Sequence, residues 1–162
     1  MNFDHKITPL SALHTTIVQI NSKKKVLVGG CFDILHHGHV IFLQKARSEG
    51  DALIVLLESD EFIKSIKKKE PVHTQQQRAE ILAALGYVDT IILLPYFSAP
   101  DEDYKGIIEE IKPEVIAYTT GDKQARRKKE FAAMVHGTTV EIPYLSSFSS
   151  SKLITYAPIF RD

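Results

Sequence analysis

The chain has a single cysteine, Cys31, so no intrachain disulfide can form, and a reducing, cytoplasmic compartment is expected. It has no apolar run long enough to span a membrane, and its first residues, Met1-Asn2-Phe3-Asp4-His5-Lys6, lack the apolar core of a signal peptide. It also has no excess of charge: 20 Lys and Arg balance 20 Asp and Glu in 162 residues. That balance argues against a general nucleic-acid or membrane-surface binder, so any basic site must be local. No internal repeat or low-complexity tract is present. What is there is the length of one domain, enough to bury a real core, and a soluble protein is the expectation.

Apolar runs that suit β-strands occur at Val26–Gly29, Leu53–Leu57, Thr90–Leu94, Val115–Tyr118 and Thr139–Ile142, separated by segments of helical character. Tyr104, Ile107, Ile108 and Ile111 follow i, i+3, i+4, i+7 and are closed by Pro113, while Arg78 to Leu85 form a shorter amphipathic helix. Tyr96 to Asp103 is the most loop-like interior segment. Alternation of strand and helix predicts a single α/β domain with a Rossmann-like, doubly wound, five-stranded parallel sheet. Its boundaries are expected at 23–157, with a helical N-terminal extension over 1–22 and a tail over 158–162. Ligands of such sheets sit at the carboxyl ends of the strands, near the switch point.

The segment Gly29-Gly30-Cys31-Phe32-Asp33-Ile34-Leu35-His36-His37-Gly38-His39 lies where the first apolar strand turns into a helix carrying Val40, Leu43 and Ala46. Free N–H groups at a helix start, at the positive end of the macrodipole, bind anions. His36 and His39 are one i,i+3 step apart, so both side chains can reach one phosphate chain. Gly38 between them lets a bulky triphosphate approach the backbone. Asp33 could orient a histidine, hydrogen-bond a substrate or help hold a hydrated magnesium ion. Three imidazoles in four residues also admit a zinc-binding module, although no other Cys/His/acid cluster completes a tetrahedral site. His37, at the variable position, is expected only to line the pocket.

The pattern His-x-Gly-His in this setting resembles the signature of the cytidylyltransferase-like nucleotidylyltransferase superfamily. Gly30-Cys31-Phe32-Asp33-Ile34-Leu35-His36 through Val40 is most similar to its heptose-1-phosphate adenylyltransferase branch. Glu58-Ser59-Asp60, Pro71-Val72 followed by Gln77-Arg78, Val88-Asp89, Gly121-Asp122 and Ser149-Ser150-Ser151 fall in the family's order, so the resemblance covers roughly residues 7 to 155. It implies transfer of an NMP unit from ATP or CTP to a small phosphorylated acceptor, with release of pyrophosphate. A sugar phosphate is the expected acceptor, and polyol-phosphate cytidylyl transfer of the glycerol-3-phosphate type is the alternative. A nucleotide-binding regulator without turnover is the non-enzymatic alternative. Magnesium is the implied cofactor and a homodimer is plausible.

The same resemblance assigns roles residue by residue. His36, His39 and Lys67 serve catalysis; Gly30, Cys31, Phe32, Gly38, Gly121, Asp122, Ser149, Ser150 and Ser151 hold the nucleotide; Asp33 and Arg78 hold the acceptor, Arg78 through a guanidinium that can grip phosphate bidentately. Lys67-Lys68-Lys69 is expected in a mobile loop, where a solvated charge run is the plain alternative. For Arg78 that alternative is a helix-surface ion pair, and for the serine triplet a helix cap. Arg126-Arg127-Lys128-Lys129, on a helix that buries Phe131, Ala132 and Val135, is expected to be a solvated basic face. Two positions depart from the branches: Tyr144 stands where the glycerol-phosphate enzymes carry arginine, and Ser147-Phe148 where the heptose branch has Gly-Cys.

Overall fold

A computed structural model describes residues 3–143. Its elements run β1 (Ile7–Pro9), α1 (Leu13–Gln19), β2 (Lys25–Gly30), α2 (His37–Arg47), β3 (Ala52–Leu57), α3 (Asp60–Lys67), α4 (Gln75–Ala83), β4 (Thr90–Leu93), α5 (Pro100–Ile111), β5 (Val115–Thr119), α6 (Ala125–Met134) and β6 (Thr138–Ile142). All pairings are parallel and the sheet order is β1-β4-β3-β2-β5-β6. The chain winds outward from β2 through β3 to β4, returns across the sheet by α5, and continues through β5 to β6. The switch therefore falls between β2 and β5, where two successive windings diverge and leave a crevice at the carboxyl edge.

The sheet has six strands, not the five expected. The extra one is β1, which pairs Ile7, Thr8 and Pro9 with Ile91, Ile92 and Leu93. A three-residue strand has no readable alternation, and a proline, which lacks an N–H, discourages a strand assignment; Pro9 is tolerated because β1 lies at the sheet edge. The first 22 residues thus hold a strand as well as a helix.

Helices cover both faces. On one, Val26, Val28, Leu53, Val55 and Leu57 pack with Phe42, Leu43 and Ala46 of α2 and Ala79, Leu82 and Ala83 of α4. On the other, Leu27, Ile54, Leu56, Ile92 and Ile116 meet Leu13 and Ile17 of α1, Ile107, Ile108 and Ile111 of α5, and Ala132 of α6. β3 is buried at all six residues, which is why it appears in the sequence as an unbroken apolar run.

Two helix boundaries differ from expectation. Helix α5 begins at Pro100 rather than Tyr104, with Asp101, Glu102 and Asp103 in its first turn, because proline at N1 and early acids suit a helix start. The segment before Lys68 is the helix α3, capped by Ser59 Oγ accepting from Phe62 N at 3.1 Å, so Lys67 ends a helix instead of riding a loop. Among the described residues, no helix is long and apolar enough to cross a membrane.

Candidate active site

At the end of β2 the chain makes a sharp turn. Phe32 takes a left-handed conformation (φ 47°), and its ring folds back until a Cβ on Gly30 would sit 3.0 Å from it. The turn delivers His36 as the N-cap of α2 in extended backbone, with no side chain capping the helix. The helix start is thus left open to an anion.

The His36 and His39 rings stack at 3.8 Å between centroids and 24° between planes, and the Phe32 ring lies 5.2 Å from His39. The Nδ1 atoms of both histidines are buried and have no hydrogen-bond partner. A buried polar atom without a partner is costly, so a pair of them beside an open helix start marks a place prepared for a ligand. Burial lowers the pKa of both rings. His39, further lowered by its neighbour His36, drops from 6.5 to about 4 despite a hydrogen bond to the Ile34 backbone. Both imidazoles are therefore neutral at neutral pH, each ring with one N–H donor and one acceptor nitrogen, and the His39 N–H serves the Ile34 backbone.

The lowered pKa has a stability consequence. Folding favours neutral His39, so the group contributes stability that is present above pH 6.5 and is lost as the pH falls through the window from 6.5 to about 4. A shift of that size corresponds to roughly 3 kcal/mol. Denaturant unfolding at pH 7 and pH 4.5 should show a smaller acid loss in His39→Asn than in the wild type; equal losses would contradict this assignment.

Around the rings lies a cavity of about 370 Å³. Gly30, Cys31, Phe32, Asp33, Gly38 and Lys67 line it together with the two histidines. Asp33 is almost fully buried. Burial would raise its pKa, but Lys69 Nζ at 2.8 Å and the backbone N–H groups of Val72 and His73 outweigh that and hold it below its ordinary value. Asp33 thereby ties the segment after α3 to the cavity wall. Burial raises the Cys31 thiol, with Lys67 opposing it. His37 is exposed and does not line the cavity, contrary to expectation.

Arg78 requires the main correction. It is completely buried, does not line the cavity, and donates to the carbonyls of Cys31 and His73 and to Asp60 Oδ1 at 2.7 Å. With Nε, Nη1 and Nη2 each engaged, it braces the β2–α2 turn from behind, away from the cavity lining. Its neighbour Gln77 completes a capping box with Thr74 at the start of α4.

The β5–α6 side also departs from the sequence reading. Asp122 lines the cavity, with Gln124 N donating to its Oδ1 at 2.7 Å and Lys128 Nζ to its Oδ2 at 2.6 Å. Burial alone would raise the Asp122 pKa, yet these partners hold it down. Lys128 lines the cavity as well, and Arg127 packs against the Tyr104 and Phe131 rings and pairs with Asp101. The basic run is therefore not a uniform solvated face; only Arg126 and Lys129 are exposed. Gly121 takes φ +79°, as the turn requires, and stays outside the cavity. Ser149, Ser150 and Ser151, with Tyr144 and Phe148, lie outside the described residues.

Glu58, just past β3, donates its N–H to the Gly30 carbonyl behind the cavity and entered the sequence reading only as part of the family pattern. Burial raises its pKa, and the Tyr104 hydroxyl donates to its Oε1. Lys128 escaped the sequence reading, and within the Lys67-Lys68-Lys69 run only the folded chain reveals that Lys67 and Lys69 turn inward.

The model of the cytidylyltransferase-like family matches residues 27–154. The chain belongs to that family. Its members are nucleotidyltransferases, and this chain shares their class. It is 41% identical over 117 residues to the bifunctional protein HldE of Campylobacter concisus, covering 71% of this chain and 24% of that one. The chain thus spans about a quarter of that relative's length. It is 37% identical over 133 residues to the FAD synthase of Thermococcus kodakarensis, covering 80% of this chain and 87% of that one. The solved lipopolysaccharide core biosynthesis protein of Thermoplasma volcanium superposes with a TM-score of 0.59 at 24% identity, covering 75% of this chain and 96% of that chain, and shares the fold.

Proposed function

We propose that the chain transfers AMP from ATP to a phosphorylated small molecule, foremost a sugar phosphate of the heptose-1-phosphate kind, with release of pyrophosphate. The observation that carries this reading is the stacked His36–His39 pair, its buried Nδ1 atoms unpartnered, at the uncapped start of α2. An oxygen of the acceptor's phosphate attacks the α-phosphorus, a new P–O–P linkage forms, and the bond to the β-phosphate oxygen breaks. The attacking oxygen is already anionic, so no general base is needed. The N–H of the neutral His36 ring and the N–H groups of α2 donate to the charge that builds on the α-phosphate and the leaving pyrophosphate, with His39 stacked on His36 and Lys67 adding a cation.

Likeness to an FAD synthase along most of both chains supports ATP as the donor, because FAD joins a flavin phosphate to AMP. It also favours a second reading, in which the acceptor is a flavin phosphate. The described residues do not form a metal cage: no three acids, histidines or cysteines cluster, and the cavity's Asp33 and Asp122 are paired with lysines. A magnesium ion carried in on the triphosphate would need only phosphate oxygens and waters, and no step above depends on protein ligation of it.

A pyrophosphate-release screen decides among acceptors: ATP or CTP with heptose-1-phosphate, FMN or glycerol-3-phosphate, run beside His39→Ala. Release with ATP and a sugar phosphate that vanishes in the variant is expected. Release only with FMN selects the second reading, only with CTP and glycerol-3-phosphate the cytidylyl alternative, and none with any pair defeats the proposal.

A further inference from the structure

We propose that Glu58 is a positioning residue for nucleotidyl transfer: its buried carboxylate, fixed by the Tyr104 hydroxyl, aims the Lys67 ammonium into the crevice. The inference rests on the nucleotidyl-transfer reading and adds to it the anion that steers the lysine which that reading places on the phosphates.

Glu58 is anchored at both ends. Its N–H donates to the Gly30 carbonyl at 3.1 Å, which ties it to the last residue of β2, and its Oε1 accepts from the Tyr104 hydroxyl of α5. Tyr104 is itself held on two sides, edge-on to the Phe97 ring at 5.4 Å and 5.0 Å from the Arg127 guanidinium, which pairs with Asp101 at 2.6 Å. Glu58 is only 8% exposed, so its charge is poorly screened and needs cations nearby.

Three cations from three helices act on it: Arg78 of α4, Lys128 of α6 and Lys67 of α3. Arg78 is spent on Asp60 and two carbonyls, and Lys128 on Asp122 at 2.6 Å. Lys67 forms no ion pair among the described residues. It is exposed at the last residue of α3, on a flexible four-carbon stem. The pull of a fixed carboxylate narrows its rotamers to those that lean into the crevice.

Distance matters here as much as sign. A carboxylate in contact with Lys67 would occupy donors that the triphosphate needs, and one facing the cavity would repel the ligand. Glu58 does neither. Tyr104 holds it back, and Lys67 lines the cavity while Glu58 does not, so an arriving anion meets the ammonium first.

A double-mutant cycle in steady-state pyrophosphate release tests this, with ATP and the acceptor that the screen selects. Glu58→Gln keeps the shape and an oxygen for Tyr104 but drops the charge; it is expected to lower kcat by on the order of tenfold, with a smaller change in the KM for ATP. In a Lys67→Met background the same change should cost about twofold or less, because the group it steers is gone. Tyr104→Phe keeps the carboxylate but frees it to close on Lys67, so it should lower kcat/KM when Lys67 is present and not when Lys67 is Met. Wild-type kcat in Glu58→Gln overturns the proposal. So does a tenfold loss that persists in Lys67→Met, which would make Glu58 a packing residue. Should Glu58→Gln fail to fold, the Tyr104→Phe cycle decides by the same criterion. No release by wild type with any pair would overturn the nucleotidyl-transfer reading and this inference together, whereas the other failures leave that reading intact.

Discussion

His39→Ala is expected to lower turnover by on the order of 100- to 1000-fold, and His36→Ala by a similar factor, with a smaller change in the KM for ATP. The asymmetry follows from where charge develops. On the proposed reading many donors would hold the triphosphate in the ground state, whereas the negative charge that accumulates as the bond between the α-phosphorus and the bridging oxygen breaks would fall nearest the imidazoles. The protonation state is testable by the same measurement. With its pKa held near 4 by burial and by the stacked His36, free-enzyme His39 is neutral. Steady-state pyrophosphate release should therefore give a kcat/KM that holds level from pH 6 to pH 8, since that parameter reports free-enzyme groups. A tenfold fall per pH unit across that range would show that the imidazolium is the active form.

Arg78→Ala is expected to destabilise the fold by about 3–5 kcal/mol, lowering the melting temperature by roughly 10 °C. Truncation leaves the Asp60 carboxylate and the carbonyls of Cys31 and His73 without their partner, inside a region where the lost side chain was fully buried. Arg78→Lys should recover only part of the loss, because one ammonium cannot copy a planar fork that meets three groups in different directions. Denaturant and thermal unfolding check the first result. A variant of native stability whose only defect is a raised acceptor KM would instead return Arg78 to the role of acceptor ligand.

The two predictions draw on different kinds of information. The histidine pair was legible because its geometry is local: an apolar strand, a glycine turn and an i,i+3 spacing lie within a dozen residues, and backbone periodicity alone puts the rings together. The strands β2 to β6 were legible for a related reason, since strands covered on both faces appear as bare apolar runs. Arg78 looked like a surface ligand because its surroundings come from β2, α3 and the segment before α4, brought together only by the winding of the sheet. Lys128 stood among four basic residues that composition cannot tell apart; the orientation of α6 against β5 decides that it turns toward Asp122.

Residue order by itself determined the strand–turn–helix segment around the histidines, the alternating α/β pattern and the pairing of His36 with His39, because short-range spacing controls each of these. The tertiary structure decided the sixth strand, the burial of Arg78, the tether from Asp33 to Lys69 and the pairing of Asp122 with Lys128. Each of those depends on which distant segments share a low-dielectric interior, where a charge must find a partner, and sequence spacing carries no record of that neighbourhood.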